Sequence, residues 1–286
     1  RRFKSYPRNQ IANILYMTIK KIFLTKPFSP KHNENKMENE GDLLKARNSF
    51  LNKRFNNVDY LLRKRYNWMN NYISPGMKVV EIGCGTGFSK LYIKEPVTLT
   101  DTNKKPWVDK VVDATNMCLE ENSVDVIIVS HAIHHFYSPA QFFKECSRTL
   151  KKDGLILISE TYTSLTMRII LNVMKHEGYN YDIDVFNYKT ICNDRNDPWS
   201  ANCAIPELLF DNEKKFNNFF KELKIEKQKN VEFFIFPLSG GVVSKIKMLE
   251  LPTFLLSFFD FIDKILILLF PKVFALGKEI VIRKNK

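Results

Sequence analysis

Between residues 78 and 159, short apolar runs alternate with helical stretches, and this rhythm limits the folds open to the chain more than any other feature. The runs are Lys78 to Ile82, Val97 to Thr100, Lys110 to Val112, Val124 to Ser130 and Leu155 to Ser159. Strands that are apolar along their whole length, rather than at every second residue, belong to parallel sheets covered by helices on both faces. The pattern predicts an α/β chain with a doubly wound, mostly parallel sheet. Upstream, Leu43, Leu44, Phe50, Leu51, Phe55, Val58, Leu61 and Leu62 recur at helical spacing until Ser74-Pro75-Gly76 stops the helix. After Glu160 come about 65 residues of helical and irregular character, longer than an ordinary connection. Val231 to Phe236 and Glu279 to Arg283 then read as two further strands, an antiparallel edge hairpin on the sheet. The resulting plan is a basic segment and linker at 1–40 and one domain at 41–286. That domain divides into a core at 74–160, a cap insertion at 161–228 and a sheet-completing part with an apolar insertion at 229–286.

The net charge of +13 would suggest a nucleic-acid partner if it were spread over the chain, but it is not. Residues 1–65 hold 16 Lys/Arg against 5 Asp/Glu, whereas residues 66–165 hold 10 against 11. The excess is N-terminal, and residues 1–26 form a basic amphipathic segment, with Ile11, Ile14, Leu15, Ile19, Ile22 and Phe23 at helical spacing. The chain begins at Arg1 rather than Met, which leaves open a targeting segment upstream. Five cysteines without a Cys-x-x-Cys pair (Cys84, Cys118, Cys146, Cys192, Cys203) read as free thiols of a reducing, cytoplasmic compartment. The apolar stretch Leu249 to Leu276 is interrupted by Glu250, Asp260, Asp263, Lys264 and Lys272 and broken by Pro252 and Pro271. It suits a helix lying on a bilayer better than one crossing it.

The chemistry enters at Val79-Val80-Glu81-Ile82-Gly83-Cys84-Gly85-Thr86-Gly87, a strand running into a glycine-rich turn. In a doubly wound sheet ligands bind beyond the carboxyl ends of the strands, and glycines let the backbone approach them closely. The spacing is Gly-x-Gly-x-Gly, neither that of a dinucleotide site nor that of a phosphate loop. Glu81, just before the first glycine, would repel a pyrophosphate and attract a cationic amino-acid ligand.

These residues resemble the class I S-adenosylmethionine-dependent methyltransferases, of the type 11-like kind, and the resemblance runs from about Asn70 to Glu160. It implies the Rossmann-like fold of that class and S-adenosylmethionine as cofactor. It also implies that Glu81, Gly83, Cys84, Gly85 and Gly87 line the methionine part, and that Asp101 with Thr102 at the end of the second strand holds the ribose. Asp113 with Ala114 after the third strand would face the adenine, and Ser130 would close the fourth strand beside the cofactor. Asp125, at the start of that strand, reads as structural. Ser130-His131-Ala132-Ile133 lacks the Asn/Asp-Pro-Pro-aromatic pattern of nucleobase-amine methylases, which argues against that substrate.

His131, His134 and His135 leave three readings open: a metal cluster, a general base for a hydroxyl acceptor, or packing. No carboxylate or cysteine partner is evident beside them, so no metal is assigned, and His134 or His131 is the candidate base. In the insertion, His176, Tyr179, Trp199 and Asn202 are candidates to bind a polar acceptor, with packing the competing reading. The insertion, with Phe236 to Gly241, also resembles a poorly characterised bacterial subgroup associated with surface-polysaccharide or lipid-linked sugar assembly. The expectation is methyl transfer to a small or lipid-linked polar acceptor, at oxygen, in the cytoplasm; the basic and apolar segments either dock at the inner face of the membrane or serve as a tail and as packing across the sheet or between subunits. A scaffold that has lost turnover and an RNA methyltransferase clamped by the basic segment are the alternatives.

Overall fold

The computed structural model describes residues 27–31, 42–195, 197, 200–243 and 246–285. The basic segment at 1–26, most of the linker and Trp199 lie outside the described residues. The elements, in chain order, are α1 Leu43–Lys53, α2 Asn56–Asn67, β1 Val79–Ile82, β2 Val97–Asp101, β3 Lys110–Val111, β4 Val124–Ser130, α3 Pro139–Thr149 and β5 Leu150–Thr161. They continue with α4 Leu165–Met174, α5 Ile205–Phe210, α6 Glu213–Phe219, β6 Leu223–Val231, α7 Ile235–Ser239, α8 Thr253–Leu269, α9 Pro271–Phe274 and β7 Gly277–Lys284.

Seven strands form one sheet in the order β3-β2-β1-β4-β5-β7-β6. β1 pairs in parallel with β2 and β4, and β4 pairs in parallel with β5. β7 runs antiparallel to both β5 and β6 and is the one reversed strand of the sheet. The chain doubles back at β1 and β4, where an open sheet leaves a crevice at its carboxyl edge. Burial on both faces explains the continuous apolar runs. In β4, Ile127 and Val129 pack with Phe142, Phe143 and Ile280 on one face, while Val126 and Ile128 pack with Phe50, Val58 and Tyr66 on the other.

The edge departs from expectation. Val231 to Phe236 is not a strand: it ends β6 and turns into α7, while β6 itself is Leu223–Val231. That edge strand reads LKIEKQKNV, with its charged residues largely in water and a register shift between Ile225 and Lys227, so it carries no apolar run. Exposed charge and an irregularity are how edge strands avoid pairing with other chains. β6 and β7 are neighbours but not a hairpin, since α7, α8 and α9 lie between them.

In α8 the usual arrangement is inverted. Its buried residues include Asp260 and Asp263, whereas Phe254, Phe258, Phe261, Ile265 and Leu268, at spacings of three and four, face solvent. Asp263 accepts from the backbone N–H groups of Phe233 (3.0 Å), Phe234 (2.8 Å) and Ile235 (3.3 Å), satisfying the start of α7. Asp260 pairs with Lys64 and Lys264. No helix among the described residues is long and apolar enough to cross a membrane.

A buried ion pair fastens α2 to the far side of the sheet. Arg65 donates from Nε and Nη2 to Glu232 at 2.8 and 2.7 Å, with both side chains nearly inaccessible. Burial alone would raise the Glu232 carboxyl, but Arg65 outweighs it and holds the group below its ordinary range. Arg65→Met leaves a buried carboxylate without its partner and should cost about 3–5 kcal/mol in chemical denaturation. The double variant Arg65→Met, Glu232→Leu should recover most of that loss. A single variant as stable as the parent would show that the pair does not anchor α2.

Candidate active site

Strand β1 delivers the glycine turn to the carboxyl edge of the sheet. Gly83, Gly85 and Gly87 all adopt left-handed backbone, with φ of 68°, 51° and 65°. At Gly87 a Cβ would meet Leu99 Cδ1 at 2.7 Å and Trp107 Cδ1 at 2.8 Å, so glycine is required on two counts. At Gly83 a Cβ would come within 2.9 Å of the Ala132 Cβ, which brings the turn against the segment that follows β4. The glycine turn and the histidine segment are therefore packed against each other at the carboxyl edge of the sheet.

Asp101 ends β2 beside this turn, as the sequence predicts. Its Oδ2 accepts from Gly85 N–H at 2.9 Å. Its Oδ1 has only longer contacts, to Asn103 N at 3.3 Å, Thr102 Oγ1 at 3.5 Å and Lys105 Nζ at 3.7 Å. Thr102 is exposed. Asp113 is half exposed and caps a tight turn, accepting from Thr115 N and Oγ1 at 2.7 Å each, and Arg195 approaches its other oxygen at 3.5 Å. Ala114 and Cys84 are buried, and burial pushes the Cys84 thiol up. None of the five cysteines forms a disulfide.

Glu81 stands behind the turn rather than on its surface. Its carboxyl is 1% exposed and accepts from Ser89 Oγ at 2.5 Å and from Tyr66 OH at 3.3 Å. Burial, helped by the nearby charge of Asp101, raises it to about 7 despite those hydrogen bonds. Tyr66 from α2 was not legible as a site residue, nor were two groups that brace the turn from outside. Trp107 donates from Nε1 to Gly85 O at 2.8 Å, and Arg47 of α1 donates to Thr86 O while stacking over Trp107. Leu43 of α1 lies 3.8 Å from where a Gly85 Cβ would stand.

The two candidate bases differ sharply in their surroundings. His134 is buried, with Nδ1 2.6 Å from Glu160 Oε1 and Nε2 3.7 Å from Glu177 Oε2. Burial, which disfavours the charge, is outweighed by these two carboxylates, which hold the ring protonated up to about 10. Held protonated by its two carboxylates, His134 is less suited than a neutral ring to take a proton from an acceptor. His131 follows Ser130 in left-handed backbone, φ 51°, and its buried Nδ1 has no hydrogen-bond partner. Burial pushes His131 down to about 4, leaving it neutral.

The insertion supplies what the sequence left unseen. Glu177 sits among His134, His135 and His176, so the absence of a carboxylate partner inferred for the histidines is corrected by the tertiary structure. Beside it lies a cavity of ≈ 120 Å³ whose walls include Lys31, Lys175, His176, Asp197 and Ser200. His176 therefore reaches the cavity. Tyr179 and Asn202 do not serve as expected: Tyr179 is buried in the cap and bridges Phe28, and Asn202 is used in pinning Asn180 and Ala204.

The model of a family described as a methyltransferase domain matches residues 80–158, the span from β1 to β5 that builds this crevice. Residues 80–158 are a methyltransferase domain, and the sheet has the strand order of the class I methyltransferase fold. The chain is a methyl-transferring enzyme, and its cofactor is S-adenosylmethionine. No curated protein matches its sequence. Among solved structures, a possible histamine N-methyltransferase from Thermotoga maritima is 19% identical, with a TM-score of 0.46 over 86% of this chain and 97% of that one. A methyltransferase from Archaeoglobus fulgidus is 19% identical, with a TM-score of 0.45 over 79% and 93%. A chain of the complex between the Haloferax volcanii Trm112 methyltransferase activator and a putative methyltransferase is 11% identical, with a TM-score of 0.45 over 87% and 98%.

The environment of Glu81 makes the stability of the methyltransferase depend on pH. The carboxyl holds its proton to about 7 when folded and loses it near 4.5 when unfolded, so the unfolded state binds fewer protons between those values. Stability should therefore fall as pH rises from about 4.5 to 7, by on the order of 3 kcal/mol. Denaturation curves of the parent and of Glu81→Gln across this range check it. The same slope in both proteins would mean that another group titrates.

Proposed function

We propose that this methyltransferase modifies an oxygen of a small or lipid-linked polar acceptor held between the histidine segment after β4 and the insertion. The observation that carries this reading is the contact of Gly83 with Ala132, which sets the cofactor turn directly against that segment. Bound S-adenosylmethionine would supply an electrophilic methyl on a sulfonium whose charge disappears on transfer, so the protein's task is alignment and exclusion of water. The left-handed turn at Gly83, Gly85 and Gly87, with Cys84 between the first two glycines, would receive the methionine part, and Ser130 would flank it. Oδ1 of Asp101, which lacks a close partner, would accept from a ribose hydroxyl, and Asp113 and Ala114 would border the adenine. Of the two candidate bases, His131, with its unpartnered Nδ1, is the one fitted to take a hydroxyl proton. The cavity at His176, walled by Lys31, Lys175 and Asp197, suits a polar acceptor such as a sugar or its phosphate.

The lipid-linked form of the acceptor is favoured by α8. A helix that buries its acids and turns Phe254, Phe258, Phe261, Ile265 and Leu268 outward suits an apolar surface, and the basic segment at 1–26 suits anionic headgroups. The reading places the enzyme at the cytoplasmic face of a bilayer. The scaffold alternative lacks an observation in its favour, and the RNA alternative rests on residues outside the described ones.

Calorimetric titration tests the cofactor site. S-adenosylmethionine and S-adenosylhomocysteine should bind and NADH should not. Gly85→Arg should abolish binding with the fold intact, and Asp101→Ala should weaken it by about 1–3 kcal/mol. Unchanged affinity in both variants would move the cofactor elsewhere. For the membrane, sedimentation with anionic vesicles should carry down the parent, while Phe258→Glu with Leu268→Glu should stay in the supernatant. Equal partitioning of the two would remove the bilayer from the reading, and a shift from dimer to monomer in the variant would assign the α8 face to a second copy.

A further inference from the structure

Methyl transfer leaves the cluster of His134, His135 and Glu177 without a task. His134 Nε2 lies 3.7 Å from Glu177 Oε2 and His135 Nε2 lies 3.6 Å from Glu177 Oε1, and one ligand atom from each of the three residues lies within 4.8 Å of the others. Those separations are too long for hydrogen bonds, which close to about 2.7–3.2 Å. They are wider than the roughly 3.3–3.5 Å between two ligand atoms of a tetrahedral site with bonds of about 2.0–2.2 Å, a difference that a small turn of the Glu177 carboxylate and the rings closes around a cation.

The orientation of both rings points the same way. His135 Nδ1 is 3.1 Å from Ser200 O, an atom that can only accept, so the hydrogen of a neutral ring is on Nδ1 and the lone pair is on Nε2. His134 Nδ1 donates to Glu160 Oε1 at 2.6 Å, and Glu160 is itself held by the backbone N–H groups of Ile133 (2.8 Å) and Thr161 (2.7 Å). A carboxylate and a carbonyl fixing Nδ1–H, with both Nε2 atoms beside the Glu177 carboxylate, is the support that metal-binding histidines have. Glu177 is oriented in turn by Cys203, whose Sγ donates to Oε2 at 3.2 Å.

We propose that His134 Nε2, His135 Nε2 and the Glu177 carboxylate bind a divalent transition-metal ion of the zinc type. Two imidazoles and one carboxylate suit zinc and its neighbours in the first transition row, and a three-ligand set leaves a further position for water or substrate oxygen. Glu177 also forms part of the cavity wall, together with His176 and Ser200, so the open position is reachable from solvent. Magnesium prefers oxygen ligands and is the poorer fit. The ion takes the place of the second proton on His134.

The experiment needs neither cofactor nor acceptor, so its failure would leave the methyltransferase assignment standing. The full chain, stripped with a chelator, is titrated with Zn2+ by calorimetry and with Co2+ by visible absorption, whose intensity reports a four- or five-coordinate site. One ion per chain is expected, with Mg2+ competing poorly. His135→Ala and Glu177→Gln should each lower the affinity by more than about 100-fold, and Glu160→Gln by about 10- to 100-fold, with circular dichroism unchanged. Cys118→Ser, at an exposed thiol remote in sequence, should bind as the parent does. No saturable binding, or binding that persists in folded His135→Ala and Glu177→Gln, would overturn the site.

Discussion

The carboxylate of Glu160 is the constraint on which the functional edge of the sheet depends. It lies one residue before the end of β5, has no solvent exposure and accepts three donors: the backbone N–H groups of Ile133 and Thr161 and the His134 ring. A buried carboxylate is tolerated only when such donors replace its water, and His134 outweighs burial to keep it ionised, at about 2. One side chain thereby joins the end of β5 to the segment after β4. Because that segment carries Ala132, which abuts Gly83, the same carboxylate fixes the segment that packs against the glycine turn.

Elsewhere charge is likewise turned inward to hold elements together. Arg65 and Glu232 tie α2 to the turn after β6, and Asp263 completes the start of α7 from within α8. The consequence is visible on the surface. With its acids committed to the interior, α8 presents its aromatic and aliphatic side chains to the outside, a face that a solitary soluble helix would hide.

Much of this was legible along the chain. The apolar runs became β1 to β5, and the turn from Gly83 to Gly87 took the left-handed backbone that glycines allow. Asp101 reached that turn from the next strand. What escaped notice shares a physical cause. β6 is an edge strand with exposed lysines, so it lacks the apolar signature of its buried neighbours. Glu160 and Glu177 are ordinary acids in sequence, 26 and 43 residues beyond His134, and nothing local shows that folding closes those distances. Tyr179 and Asn202 erred in the other direction, since an aromatic and an amide in a polar loop serve packing and turn formation as readily as recognition.

The sequence by itself determined the parallel core, the glycine turn and the acid at the end of β2, because periodicity and backbone freedom are local properties of a chain. It also determined that the excess positive charge precedes the catalytic core. Only the tertiary structure decided which histidine is held between carboxylates, which retains an unpartnered nitrogen, and which apolar residues of α8 remain outside. Those outcomes depend on solvent exclusion and on contacts between residues far apart in the chain, which come into being only when the sheet, the insertion and the helices pack together.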